Sequence, residues 1–186
     1  MAKINTINKQ AEISEISDFK YQIDLTKKLD NENKDFTQEI INEIVLWKVN
    51  RYAELDDSIL QCLNKISKSD NQLNIKLTTE ILKELLNPKT KGIRLAMAST
   101  ILRFKNPHIY QIIDQRVYRY IYGIELKEGT NSEELIKLYL DYLDDLRRVC
   151  KEFDINFEES DRILYLMDKK YNKENNLKES RKKPNA

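Results

Sequence analysis

Asp114 is the only acid within a strongly basic stretch of the chain, which runs from Lys89 to Gly123. Seven Lys and Arg side chains against this one acid give the stretch a formal charge of +6, although the whole chain carries only +1. A carboxylate in a partly dry pocket can act as a general base or stabilise a developing positive charge. An aspartate that precedes a helix can also simply cap it, and the two roles are compatible. The basic stretch itself predicts a local surface patch that binds a polyanion.

The first part of this stretch and the residues before it predict two helices joined by a short hairpin. Leu77 to Leu86 have helical spacing of apolar residues, and Asn87-Pro88 ends that helix. After a turn through Lys91 and Gly92, a second helix begins near Arg94. Backbone N–H groups at the positive end of a helix can bind a phosphate. A hairpin that serves only for packing is the alternative.

The hairpin, with the sequence TKGIR, is followed about two dozen residues later by Asp114 in the segment Ile113 to Arg119. This pair of motifs resembles the helix-hairpin-helix DNA glycosylase superfamily, whose best-known members resemble endonuclease III. The resemblance covers roughly Thr78 to Tyr122 and places the family's catalytic aspartate on Asp114. It implies an all-helical fold of two closely packed lobes. It also implies a protein that binds double-stranded DNA, flips a base out of the stack and excises it.

The resemblance further implies which residues contact DNA. In the hairpin and in the helix after Asp114, the expected contacts are Lys89, Lys91, Gly92, Ile93, Arg94, Arg116 and Arg119. In this family the end of an earlier helix lines the base pocket or plugs the duplex, and here that segment contains Trp47, Lys48, Asn50, Arg51 and Tyr52. The alternatives are structural. Arg116 and Arg119 can pair with internal acids, and Trp47 can belong to the core.

Two positions depart from the family pattern. Arg94 stands where the family has a second hairpin glycine, which favours an alternative function as a catalytically inactive DNA-binding or protein-interaction module. Ala96 stands where bifunctional members carry a lysine nucleophile. Any base excision is therefore expected to be monofunctional, with an Asp114-activated water as the nucleophile. Cys62 and Cys150 are too few to ligate the iron-sulfur cluster that some relatives hold with four cysteines. The single histidine, His108, argues against a His-rich metal site, so we expect no cofactor and no metal.

The composition predicts one all-α domain. Only three glycines and three prolines occur in 186 residues, which favours long helices over a sandwich or a barrel. We place the domain at residues 1–171 and predict that the polar, basic tail at residues 172–186 is disordered. No apolar run approaches the roughly 20 residues of a membrane span. The sequence also begins without a signal-peptide core, so we expect a cytoplasmic protein without membrane contact.

Apolar periodicity and capping residues predict the other helices. A buried helix follows Asp35, and a further helix begins at Asp56. Asn106-Pro107 predicts another helix start, since proline is favoured at the first helical position. The remaining predicted helices are Asp114 to Gly123, Ser132 to Lys151 with Ser132 as its cap, and one within Asn156 to Tyr171.

Overall fold

A computed structural model describes residues 6–7, 23–49, 55–90, 93–127, 129, 131–175 and 177. All regular secondary structure within these residues is helical, which confirms the predicted all-α class. The helices are α1 (Ile23–Asp30), α2 (Gln38–Val49), α3 (Asp57–Leu63), α4 (Ile75–Leu85), α5 (Leu95–Lys105), α6 (Gln115–Tyr122), α7 (Ser132–Phe153) and α8 (Ser160–Tyr171), with a 3₁₀ turn at Phe157–Glu159 before α8. Among the described helices, none combines the length and the apolar composition that crossing a bilayer requires.

Short polar side chains begin several of these helices. The Asn74 Oδ1 atom accepts a hydrogen bond from the Leu77 N–H at 3.0 Å, at the start of α4. Asn131 Oδ1 accepts one from the Glu133 N–H at 2.9 Å, at the start of α7. Each cap satisfies a backbone donor that the first helical turn leaves without a partner. The predicted cap at Ser132 is therefore wrong by one residue.

Helix α5 lies at the centre of the core, and almost all of its side chains from Leu95 to Lys105 are buried. Trp47 of α2 packs edge-on against Phe104, with the ring centroids 5.2 Å apart. On another side of α5, the Ser99 hydroxyl accepts a hydrogen bond from the Ile113 N–H at 3.2 Å. Helix α5 therefore supports both the end of α2 and the segment that leads into α6.

That segment, residues 111–114, is non-helical and is fixed by two buried tyrosines of α7. Tyr139 donates its O–H to the Gln111 carbonyl at 3.0 Å, and Tyr142 donates to the Ile112 carbonyl at 2.8 Å. Buried carbonyl groups need such partners, because they have lost their hydrogen bonds to water. Burial also raises the pKa of both phenols well above the ordinary value, so these two O–H donors remain protonated.

Helix α6 begins and ends where the sequence predicts. Asp114 caps its first turn, and Gly123 follows its last residue with a φ of 72°. This left-handed conformation is common after a helix, and glycine adopts it without a steric penalty.

The helix predicted to begin at Asn106-Pro107 is wrong, because residues 107–109 form a turn instead. Asn106 is fully buried, and its Nδ2 donates to the carbonyls of Ser67 and Asp70 at 2.6 and 3.0 Å. The side chain thus ties the end of α5 to the loop before α4. The local sequence does not distinguish an asparagine that caps a helix from one that bonds distant carbonyl groups, as Asn106 does.

A buried ion pair joins α6 to α8. Arg119 donates through Nε and Nη2 to the two carboxylate oxygens of Asp168, at 2.9 and 2.6 Å. Arg119 Nη1 also donates to the Asn175 carbonyl at 2.8 Å, and Asn172 Nδ2 donates to Asp168 at 2.8 Å. Asn172 and Asn175, which follow the predicted boundary at Tyr171, thus contact α6 and α8. Most of the tail predicted to be disordered lies outside the described residues.

Candidate functional site

Asp114 stands where the non-helical segment meets α6, and it is not sealed in the core. Its Oδ1 atom accepts a hydrogen bond from the Arg116 N–H at 2.8 Å, which is the cap that the sequence allowed. Its Oδ2 atom lies 3.9 Å from Lys48 Nζ, and 29 % of the Asp114 side chain is exposed. One carboxylate oxygen is thus used by the helix, and the other lies near an ammonium group.

The Asp114 side chain lines a cavity of about 260 Å³ at the end of α2, the start of α6 and the first turns of α8. The lining residues are Trp47, Lys48, Ile112, Asp114, Val117, Asp161, Arg162 and Tyr165. The fold therefore brings Asp114 together with Trp47 and Lys48, which the sequence placed in a separate motif. Asn50, Arg51 and Tyr52, which belong to the same predicted group as Trp47, lie outside the described residues.

Trp47 forms an inner wall of this cavity. The side chain is buried, with 5 % exposure, and its Nε1–H donates to the Thr26 hydroxyl at 2.6 Å. An indole held in this way is both a core residue and a cavity wall. It does not project from the surface, so it is unsuited to the role of duplex wedge.

Helix α8 supplies a wall that the sequence did not indicate. Asp161 and Tyr165 are four positions apart, which places them on one face of the helix. This spacing is the only local signal for the pair. It is also the spacing of any two residues one turn apart, so it does not distinguish a cavity wall from an ordinary helix face.

Arg162 is the second cation of the cavity, and acids of neighbouring elements hold it. Its Nη2 lies 2.6 Å from Asp30 Oδ2, and its Nη1 lies 3.2 Å from Glu159 Oε2. Burial opposes the charge on Arg162, but the carboxylates of Asp161, Asp30 and Glu159 outweigh burial and raise its pKa. The guanidinium therefore stays charged and fixes this part of the wall.

Part of the charge of the basic stretch is buried and cannot contribute to the surface patch that the charge predicted. Three of its seven cationic side chains are buried, namely Arg103, Lys105 and Arg119, with exposures of 3, 6 and 1 %. Arg103 pairs with Asp30 and Arg119 pairs with Asp168, while burial lowers the pKa of Lys105. Arg119 has the internal acid partner that the structural alternative described, and its DNA contact stays a prediction.

The other predicted contact residues are more accessible. Lys89 and Arg94 are exposed, and Arg94 precedes the first turn of α5 without making a side-chain capping bond. The Ile93 side chain is buried, with 7 % exposure. Arg116 is partly engaged, because its Nη1 lies 3.1 Å from Asp168 Oδ2. Lys91 and Gly92 lie outside the described residues.

The cavity combines carboxylate, ammonium and guanidinium groups with two aromatic rings. In the part of the chain that the structure describes, no group of three or more His, Cys, Asp and Glu side chains is arranged to hold a metal ion.

The chain matches no protein-family model, and no curated protein and no solved structure is significantly similar to it.

Proposed function

We propose that this chain is a helix-hairpin-helix DNA glycosylase-like protein that binds double-stranded DNA and excises a flipped base with an Asp114-activated water. The observation that supports this most directly is the meeting of Asp114, Lys48 and Trp47 in one cavity. An enzyme that acts on a base in a duplex needs such a pocket, because the reacting bond is inaccessible within the stack. We also propose that the chain has the fold of this superfamily, in which two helical lobes pack closely together.

In the chemistry proposed for the cavity, the two oxygens of the Asp114 carboxylate have different roles. Positive charge develops on the deoxyribose as a base departs, and the attacking water must lose a proton. The capping bond to Oδ1 fixes the carboxylate, which leaves Oδ2 to take that proton and to stabilise the sugar. The Lys48 ammonium, 3.9 Å from Oδ2, would stabilise the negative charge on the departing base.

The hairpin before α5 is proposed to bind the DNA backbone. Backbone N–H groups at Ile93 and Arg94 would meet a phosphate at the positive end of the helix. The exposed side chains of Lys89 and Arg94 would add charge-assisted contacts. These contacts position the duplex without reading its sequence.

Water is the proposed nucleophile because Ala96 occupies the family's lysine position. Lys48 is a second amine, however, and it lies inside the cavity. Borohydride reduction separates the two possibilities, since it traps a Schiff base between an amine and an opened abasic sugar. We expect no trapped adduct. An adduct that disappears in a Lys48→Met variant would replace water with Lys48 as the nucleophile.

The central experiment incubates the protein with a panel of duplex oligonucleotides that carry damaged or modified bases, followed by alkaline cleavage of abasic sites. Asp114→Asn should keep the cap and duplex affinity but slow base release by about 10²–10⁴-fold. The matched control is Asp141→Asn, an aspartate on α7 whose side chain is 58 % exposed and pairs with Lys137. If Asp114→Asn lost duplex affinity and base release equally, Asp114 would be only a structural cap.

A second candidate keeps the fold but lacks the reaction, leaving a DNA-binding or protein-interaction module. Arg94 in place of a hairpin glycine favours it, and so does the burial of three cations of the basic stretch. Salt dependence separates DNA binding from protein interaction. With about three or four phosphate contacts, the logarithm of the duplex affinity should fall with a slope of about −3 against the logarithm of salt concentration. A flat response would favour an acidic protein partner.

A further inference from the structure

We infer that Asp161 recognises the edge of the base that enters the cavity, and that the favoured bases carry two adjacent N–H donors, as guanine and its derivatives do. This inference rests on the proposed function and adds the chemistry that selects the base. It follows from the position and the hydrogen bonds of one carboxylate on α8.

Asp161 is a buried carboxylate with unused acceptor capacity. Its side chain is 5 % exposed, and it lines the cavity. The Oδ1 atom accepts a hydrogen bond from the Arg162 N–H at 2.7 Å. Within the described part of the chain, the Oδ2 atom accepts no hydrogen bond. The Oδ2 atom is thus an acceptor at the cavity wall that a ligand's N–H group can reach.

Arg103 and Arg162 are both cations near Asp161, but Arg103 does not donate a hydrogen bond to that carboxylate. The distance from Arg103 Nε to Asp161 Oδ2 is 3.8 Å, beyond hydrogen-bonding range, and Nε has no partner among the described residues. The two terminal nitrogens of the guanidinium are held elsewhere, by the Asp30 carboxylate and by the Glu158 carbonyl. Arg103 is therefore fixed by other groups, and Asp161 Oδ2 is left for a ligand.

The rest of the lining suits a flat heterocycle. Trp47 and Tyr165 contribute aromatic rings, and Ile112 and Val117 contribute apolar surface. A flipped base is held in this manner, by stacking on such walls and by hydrogen bonds to its Watson–Crick edge. Asp161 is the buried polar group placed to make the second kind of contact.

A carboxylate discriminates among bases because it only accepts hydrogen bonds. Guanine presents a ring N–H and an exocyclic amino group side by side, so both donors can meet the two oxygens of Asp161. Hypoxanthine is guanine without the amino group, and thymine places a carbonyl on either side of its single N–H. Loss of one hydrogen bond to a charged group should weaken binding by about tenfold or more.

The test uses the full chain and two nucleosides that differ only in this amino group, 2′-deoxyguanosine and 2′-deoxyinosine. Trp47 is the only tryptophan, so its fluorescence reports occupancy of the cavity directly. We expect 2′-deoxyguanosine to bind about tenfold or more tightly than 2′-deoxyinosine. Asp161→Asn should remove this preference, while Asp141→Asn should retain it.

The comparison of two nucleosides on the parent protein needs no variant, so a poorly folded Asp161→Asn does not weaken the test. Equal affinities for the two nucleosides, or no binding of either by fluorescence and by equilibrium dialysis, would overturn the inference. Base release from duplex DNA is measured separately. Selective binding without base release would refute the proposed reaction but support Asp161, whereas release without guanine preference would refute Asp161 alone.

Discussion

The Asp168→Asn substitution should destabilise the protein strongly, because Asp168 is the buried counter-charge of Arg119. Asp168 is fully buried and accepts hydrogen bonds from Arg119 Nε and Nη2, from Arg116 Nη1 and from Asn172 Nδ2. Asparagine has nearly the same shape but no charge. The variant would leave a guanidinium with 1 % exposure in the core without an anion.

The expected magnitude is set by this burial. Removing one partner of a buried ion pair costs about 3–5 kcal/mol, because the remaining charge is desolvated and unpaired. That loss is a large share of the roughly 5–15 kcal/mol that stabilises a typical native protein. By contrast, the exposed pair Lys137–Asp141 on α7 should contribute about 0.5 kcal/mol or less, which makes Asp141→Asn the matched control.

Urea unfolding followed by circular dichroism measures the difference. We expect a much lower midpoint for Asp168→Asn and an almost unchanged midpoint for Asp141→Asn. The double variant Arg119→Met, Asp168→Leu should recover much of the loss, because an apolar pair carries no buried charge. If Asp168→Asn unfolds at the parent's urea concentration, and Arg119→Met weakens duplex binding without loss of stability, Arg119 is a DNA contact after all.

Three further predictions concern single side chains. Asp114→Ala should lower the free energy of unfolding by about 1 kcal/mol through loss of the cap, whereas Asp114→Asn should lower it by a few tenths; equal losses in thermal denaturation would contradict the capping role. Gly123→Ala should lower the free energy of unfolding by about 1–2 kcal/mol, because the φ of Gly123 is 72° and the added Cβ would lie 3.2 Å from Thr6 Cγ2. An unchanged melting temperature would contradict this. Burial raises the pKa of the Cys150 thiol from 9.0 to about 11, so the stability it contributes is present below pH 9 and is lost as the pH rises towards 11. Urea midpoints should therefore fall over this range in the parent and fall less in Cys150→Ala.

Local signals in the sequence were sufficient for the helices around the candidate site. Apolar spacing marked α4 and α5, and an aspartate before α6 with a glycine after it marked both of its ends. These signals work because caps and periodicity act within a few residues. The same signals failed at Asn106, whose hydrogen-bond partners at Ser67 and Asp70 are 39 and 36 positions away.

Distant partners also explain why the cavity was only partly predictable. Trp47 and Lys48 were indicated by the family resemblance, and the fold places them beside Asp114. Asp161 and Tyr165 belong to a helix with an ordinary amphipathic pattern, and only the packing of α8 against α6 brings them to the site. Charge along the chain was equally uninformative about exposure. Nothing close to Arg119 in the sequence reveals that its partner lies 49 positions later.

The buried cations of the basic stretch serve the site in a way that charge counting did not suggest. Arg103 of α5 pairs with Asp30, and Asp30 also pairs with Arg162 of α8. Arg119 of α6 holds Asp168, which directly follows the buried Met167 and lies one helical turn after the buried Leu164. Both sets of ion pairs hold α8 against its neighbours. In each of them, a cation of the basic stretch lies in an internal ion pair and not at the surface. Two of the seven cations of the basic stretch thus hold the wall that carries Asp161, so the phosphate binding that we propose depends on the exposed cations and on the backbone at the start of α5.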